Sequence, residues 1–297
     1  MYYYIAIVPK KYKYTMDPDI LLQKGIDTYN IWYKLWDTKN YNSKAYEYFK
    51  KAKSKYTIEQ KYSKTAECFD WMIKCISDDK DLVSMYDISK LYEEYAELLL
   101  NKLKDEEKAI IYYEITIEKH IDNSNLNGVA KIKEKLGEYY KSKSNYQKSI
   151  EMYLNVLELN SNKNYSYMKI NKILFELYIL IKNFEKAFDI YNALTSNDKV
   201  NSYSNIDFIF GAMLTYIIID FELSDVKYKQ YCSSCPAFTN DRKGKFIKSI
   251  INSLKYNDIN EFENNVSEFE STSKLSNIDA ILILEIKKLM SDEMSLL

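Results

Sequence analysis

One phrase recurs along this chain and leaves few folds open to it: a lysine, a small residue, an apolar residue and, three positions further on, an aromatic. It reads Lys44-Ala45-Tyr46-x-x-Phe49, Lys108-Ala109-Ile110-x-x-Tyr113, Lys148-Ser149-Ile150-x-x-Tyr153 and Lys186-Ala187-Phe188-x-x-Tyr191. The last three copies begin 40 and 38 residues apart, and the longer first gap is wide enough for a degenerate copy within Asp78–Leu100. A period near 40 residues predicts stacked helical hairpins, each burying its apolar face against the next. The small residue is expected to let the second helix of a hairpin sit close to its neighbour, and the aromatic to cover the next layer. Only 5 glycines and 3 prolines occur in 297 residues. Positive-φ turns and rigid kinks are therefore expected to be rare, which favours an all-α chain over a turn-rich β fold.

Between the copies lie apolar residues at helical spacing, such as Ile132, Leu136, Tyr139 and Tyr140, and Ile173, Leu174, Leu177 and Leu180. Polar breaks rich in Asn, Ser and Asp fall at Asp122–Asn127, Asn160–Asn164 and Ser196–Ser204. These residue types compete for backbone hydrogen bonds and favour turns and caps. After Tyr203 the pattern changes. Phe208–Asp220 is apolar nearly all round, as a buried helix is. Three amphipathic stretches follow Pro236: Lys245–Leu254, Asn260–Phe269 and Ile278–Met290. The expected organisation is an N-terminal extension (1–20), TPR-like helical hairpins (21–205) and a C-terminal helical bundle with its tail (206–297).

Several function classes lose support at this level. A formal net charge of −1 argues against a generally basic nucleic-acid binder. The single histidine, His120, gives little basis for a multi-His metal site or a His-assisted nucleophile, and it falls near an expected helix end. Cys232-Ser-Ser-Cys235 is a lone CxxC without the second pair that zinc needs or the βαβ setting of a redox motif. The glycines assemble no phosphate-binding loop. No enzyme and no cofactor is expected. The apolar start, Met1 to Val8, has no basic region before it, so it does not read as a signal peptide. The run around Met213–Ile219 is too short to span a bilayer. A soluble, cytoplasmic protein is expected.

The C-terminal third carries a family resemblance. Pro236-Ala237-Phe238-Thr239-Asn240-Asp241-Arg242 resembles the Pro-Ala-Phe-Thr/Ser-Asp-Ser-Arg turn of the soluble NSF attachment proteins (SNAPs). Glu268-Phe269-Glu270-Ser271-Thr272-Ser273-Lys274-Leu275 resembles their Glu-Phe-Asp-Ser-Ile-Ser-Arg-Leu, and Ile286-Lys287-Lys288 follows at the family's spacing. Phe184-Glu185-Lys186-Ala187-Phe188-Asp189-Ile190-Tyr191 is similar to their Tyr-Gln-Lys-Ala-Ile-Asp-Ile-Tyr. The match runs, with small gaps, from about Asp27 to the C-terminus.

The resemblance implies an all-α fold: a right-handed twisted sheet of TPR-like hairpins, an alpha-alpha superhelix, capped by a C-terminal helical bundle. It implies a non-enzymatic adaptor that binds assembled SNARE four-helix bundles and recruits the N-ethylmaleimide-sensitive AAA+ ATPase (NSF) to take them apart. That role belongs to vesicle transport and membrane fusion, ER–Golgi traffic included, at a peripheral membrane location. Lys131 and Lys169 fall where two SNARE-contacting family lysines lie. Arg242 matches a family arginine and Lys102 is a weaker match, whereas Asn125 and Ile206 replace cations. Flexible cations of this kind hold an acidic surface with salt-sensitive affinity. Ile31-Trp32-Tyr33-Lys34-Leu35-Trp36 stands where the family has a membrane-touching Phe-Phe-Ser-Gly-Leu-Phe loop. Trp32, Tyr33, Leu35 and Trp36 are then the lipid contacts; the alternative is that Trp32 and Trp36 pack in an ordinary first helix. Leu296, Asp292 and Glu293 resemble the acidic, leucine-bearing tail that stimulates the ATPase, and Asp220 matches a further family acid. The helix after the Arg242 turn lacks the family's acidic cluster, having Asn252, Lys255 and Tyr256 instead. The competing reading is a generic helical-repeat scaffold for an unrelated peptide.

Overall fold

The structure is a computed structural model that describes residues 16–31, 38–159, 165–195 and 202–294. All regular structure among them is helical. The helices are α1 Pro18–Tyr29, α2 Thr38–Ile58, α3 Tyr62–Asp78, α4 Met85–Leu98, α5 Glu106–Asp122, α6 Leu126–Ser142, α7 Tyr146–Leu159 and α8 Tyr165–Leu180. They continue as α9 Phe184–Thr195, α10 Ser202–Ile219, α11 Ser224–Ser234, α12 Pro236–Asn240, α13 Arg242–Lys255, α14 Ile259–Thr272 and α15 Asn277–Met294. A π-helical turn, Leu99–Leu103, extends α4. The all-α, TPR-like expectation holds. Within Asp78–Leu100, where there was room for a degenerate copy of the phrase, lies α4 (Met85–Leu98), the first helix of the pair α4/α5, and α3 takes up extra length upstream.

Scarce glycine does not mean scarce positive φ. Gln60, Lys104, Ser124, Ser144, Lys182 and Asn257 all adopt it, and no glycine does. Five of these six close a helix in the same way. The next amide bonds back to the carbonyl five residues earlier: Lys61 to Tyr56, Asn125 to His120, Asn145 to Tyr140, Asn183 to Tyr178 and Asp258 to Ser253. This is the Schellman closure. In four of them the same residue then caps the next helix. Asn125 accepts from the Gly128 amide (3.0 Å), Asn145 from Lys148 (3.3 Å), Asn183 from Lys186 (3.2 Å) and Asp258 from Glu261 (2.9 Å). A left-handed residue followed by Asn or Asp thus ends one helix and starts another. The left-handed conformation of a non-glycine residue costs about 1–2 kcal/mol, against several orphan carbonyls and amides satisfied.

The glycines serve close packing. A Cβ at Gly25 would meet the Phe49 ring, one at Gly137 the Tyr153 ring and one at Gly211 the Tyr191 ring. These rings are the aromatics of three of the four phrases. Each sits in a notch on the neighbouring helix, on the preceding helix for Phe49 and Tyr153 and on the following one for Tyr191. The small residues of the phrase, Ala45, Ala109, Ser149 and Ala187, are each 0% exposed. Ser149 also donates its hydroxyl to the Gly137 carbonyl at 2.7 Å.

The chain forms two compact units, Met1–Ile132 and Lys133–Leu297. In the first, α1 packs on α2, α2 on α3 and α4 on α5. Its core stacks Phe49 on Trp71 and Phe69 on Tyr95, with Tyr95 tilted against Tyr112. The buried Tyr95 hydroxyl donates to Asp70 (2.7 Å) and accepts from Lys108 (2.9 Å), the lysine of the second phrase. In the second unit α10 is the central element. Phe208, Ile209, Phe210, Ala212, Met213, Leu214 and Ile217 are all buried, as expected for a stretch apolar on every side. α10 packs on α9 and also on α13 and α15, so the last hairpin and the terminal helices share one core.

Candidate partner-binding face

Lys131, on α6, is exposed and its Nζ lies 2.9 Å from Oε1 of Glu93 on α4, a carboxylate far less exposed than its partner (62% against 15%). Lys169, on α8, repeats the arrangement with Glu134 of α6 at 3.6 Å, again with the lysine outermost. Lys141 of α6 pairs with Glu176 of α8 at 2.7 Å, and Lys53 of α2 with Glu94 of α4 at 2.7 Å. The partners are separated by 38, 35, 35 and 41 residues in sequence, close to one repeat. Each pair therefore joins side chains about one repeat apart, within one unit or the other. Such exposed pairs contribute about 0–1 kcal/mol each. They hold lysines in place weakly enough for a partner to take them over. The sequence reading missed the glutamates; the signal was the one-repeat spacing between lysine and acid.

The other expected cations occupy different surroundings. Lys102 sits on the π-turn, exposed, with Nζ 5.4 Å from the Tyr62 ring centroid. It borders a groove that Lys53, Glu94 and Glu97 also line. Arg242 opens α13 and donates from Nη1 to the Thr272 carbonyl at 3.2 Å, at the end of α14. A cation at a helix C-terminus meets the partial negative charge of the last carbonyls. The two family-like motifs of the C-terminal third, Pro236–Arg242 and Glu268–Leu275, are joined by this bond. Phe238, fully buried, anchors the first motif, and Phe269 the second by stacking on Phe246 at 4.3 Å. Asp220 closes the turn after α10, accepting from the Leu223 amide at 3.0 Å. Asp292 and Glu293 belong to the last turn of α15, and their side chains lie outside the described set. Trp32, Tyr33, Leu35, Trp36 and Leu296 lie outside the described residues altogether.

His120, expected near a helix end, is in the last turn of α5 and buried. Its Nδ1 is 3.3 Å from the Asn125 side-chain Nδ2, and its ring covers Gly128. Burial lowers its pKa; Glu93 opposes that shift and Lys131 adds to it. A depressed histidine contributes stability that is complete above its unfolded pKa and is lost progressively as pH falls from there through its lower folded pKa. The melting temperature of the wild type should therefore fall from pH 7.5 to 5 by more than that of His120→Gln, read by circular dichroism. Parallel pH profiles for the two proteins would contradict the assignment.

The family model described as soluble NSF attachment protein, SNAP, matches residues 23–291. The chain belongs to this family. It is 26% identical over 151 residues to the human alpha-soluble NSF attachment protein, covering 50% of this chain and 50% of that protein. It is 27% identical to the bovine beta protein over 151 residues (50% and 49%) and 23% identical to the mouse alpha protein over 225 residues (75% and 63%). The chain spans about half the length of the first two of these relatives. Among solved structures it is similar to the C-terminal part of a TPR repeat-containing protein from Cytophaga hutchinsonii. That match has 17% identity and a TM-score of 0.41, over 86% of this chain and 95% of that one. A tetratricopeptide repeat protein from Parabacteroides merdae matches at 16% identity and a TM-score of 0.34, over 91% and 98%. Among the described residues no helix is long and apolar enough to cross a membrane, and no group of three or more His, Cys, Asp or Glu is placed to hold a metal ion.

Proposed function

We propose that this chain is a non-enzymatic SNAP-type adaptor that binds assembled SNARE bundles and recruits an NSF-type AAA+ ATPase for their disassembly. The observation that carries the reading is family membership across 23–291. The contact of Arg242 with Thr272, which joins two family-like motifs, adds to it. In this proposal the exposed Lys131 and Lys169 grip the bundle, with Lys102 and Arg242 as further contacts. Asp220, Asp292, Glu293 and Leu296 face the ATPase. Trp32, Tyr33, Leu35 and Trp36 touch the membrane surface, giving a cytoplasmic, peripheral location. Most of the gripping residues lie in the hairpins to residue 205, with Arg242 added from 206–297, the segment that also carries the residues for the ATPase.

Co-sedimentation tests the first step. The chain should pellet with an assembled SNARE bundle and not with its separate, unassembled strands. A generic repeat scaffold that captures an extended peptide would show the opposite preference, and that result would displace the adaptor reading.

A further inference from the structure

In the unit Lys133–Leu297 a cleft of 680 Å3 opens beside α8 and α10, with α13 and the first turn of α15 also on its walls. Three lysines line it, Lys141, Lys172 and Lys243, together with three carboxylates, Glu176, Asp207 and Asp279. Four of these six charges are already paired with each other. Lys141 Nζ is 2.7 Å from Glu176 and Lys243 Nζ is 2.6 Å from Asp207. Lys172 lies over the Phe208 ring, 5.2 Å from its centroid. Asp279 is engaged at the N-terminus of α15, accepting from the Ser276 hydroxyl and amide. Outside the cleft, Lys169 with Glu134 and Lys182 with Glu285 continue the pattern at 3.6 and 3.1 Å. Between the charges, Leu180, Ile278 and Ile281 are half-buried and give the cleft an apolar part.

A uniformly acidic surface fits these walls poorly. The walls carry as many carboxylates as lysines, and Lys141 and Lys243 each stand beside a carboxylate that repels such a surface at nearly the same distance, so attraction and repulsion largely cancel. A surface carrying both signs gains from both members of every pair. It does not have to strip a lysine from its carboxylate, because an ammonium has three donors and serves two acceptors at once. We infer that the cleft takes a helical surface on which cations and carboxylates alternate around an apolar side chain. The inference rests on the adaptor reading and specifies the charge pattern of the partner it binds.

Three probes test it by equilibrium binding: an assembled native SNARE bundle and two designed four-helix bundles with one shared apolar core. One designed bundle has glutamate at all outward positions; the other alternates glutamate and lysine. The wild type should bind the alternating bundle about fivefold more tightly, with the weaker salt dependence of a matched interface. Glu176→Gln with Asp207→Asn should reverse the order. Tighter binding of the all-glutamate bundle by the wild type overturns the inference, and that comparison needs no variant. An unchanged order in the double variant, with helicity intact, also overturns it. Binding of the native bundle with no binding of either designed one sinks the inference alone; no binding of any of the three sinks the adaptor reading with it.

Discussion

Gly244→Ala should lower the melting temperature by about 6–10 °C, corresponding to about 3 kcal/mol of overpacking. Intrinsic propensity points the other way, since alanine in a helix interior is favoured over glycine by about 1 kcal/mol. The clash decides the sign. Gly244 lies buried in the first turn of α13, and a Cβ there would land on the backbone carbonyl oxygen of Phe238. Phe238 is fully buried in α12, and Asp241 between them caps α13 by accepting from the Lys243 amide at 2.8 Å. Relieving the clash means shifting backbone that is held by the buried Phe238 and by this cap. Gly25→Ala provides the comparison. Its Cβ would come nearest to side-chain atoms of the Phe49 ring rather than to backbone, and at a longer distance than at Gly244, so the loss should be smaller. Thermal melts followed in the far and near ultraviolet test both. A melting temperature for Gly244→Ala at or above the wild-type value would show that the Pro236–Arg242 turn is not packed as described.

Reversing two lysines should have the largest effect on binding. In Lys131→Glu with Lys169→Glu, each new glutamate faces an existing one, Glu93 or Glu134, where an ion pair stood. The local charge changes by two units at each site. The expected loss of affinity for an assembled SNARE bundle is about 10- to 100-fold, greatest at low salt. Stability should change little, because exposed pairs contribute about 0–1 kcal/mol. Lys229→Glu, at a residue whose ion pair with Asp225 lies within α11, is a suitable control. A double reversal that binds like the wild type, with normal helicity, would show that these lysines form only a solvated helix face.

The repeated phrase made the hairpins legible because its small residue and its aromatic have one geometric job each. Ala45, Ala109, Ser149 and Ala187 are all buried as that job requires. The turns were legible as polar breaks but not as left-handed closures. Gln60, Ser124, Ser144, Lys182 and Asn257 fill positions where glycine is the usual marker, and the Asn or Asp that follows the last four is a residue type found in loops as well as in caps. The glycines misled for the complementary reason, since a glycine beneath a ring leaves no local pattern. Lys131 and Lys169 were legible through the family resemblance. Glu93 and Glu134 were not, because each becomes a partner only once successive hairpins bring residues one repeat apart together. Arg242 was legible as a motif residue. Its bond to Thr272 depends on how α13 and α14 fold back on each other, which no local spacing encodes.

An adaptor of this kind shows itself in disassembly. A reconstituted NSF-type ATPase, ATP and a fluorescently labelled SNARE bundle are mixed with and without this chain, and strand release is followed over time. Release that requires the chain, and that drops when Met294–Leu297 is deleted while bundle binding is retained, is the predicted result. Release at the same rate with and without the chain, although the chain binds the bundle, would contradict it.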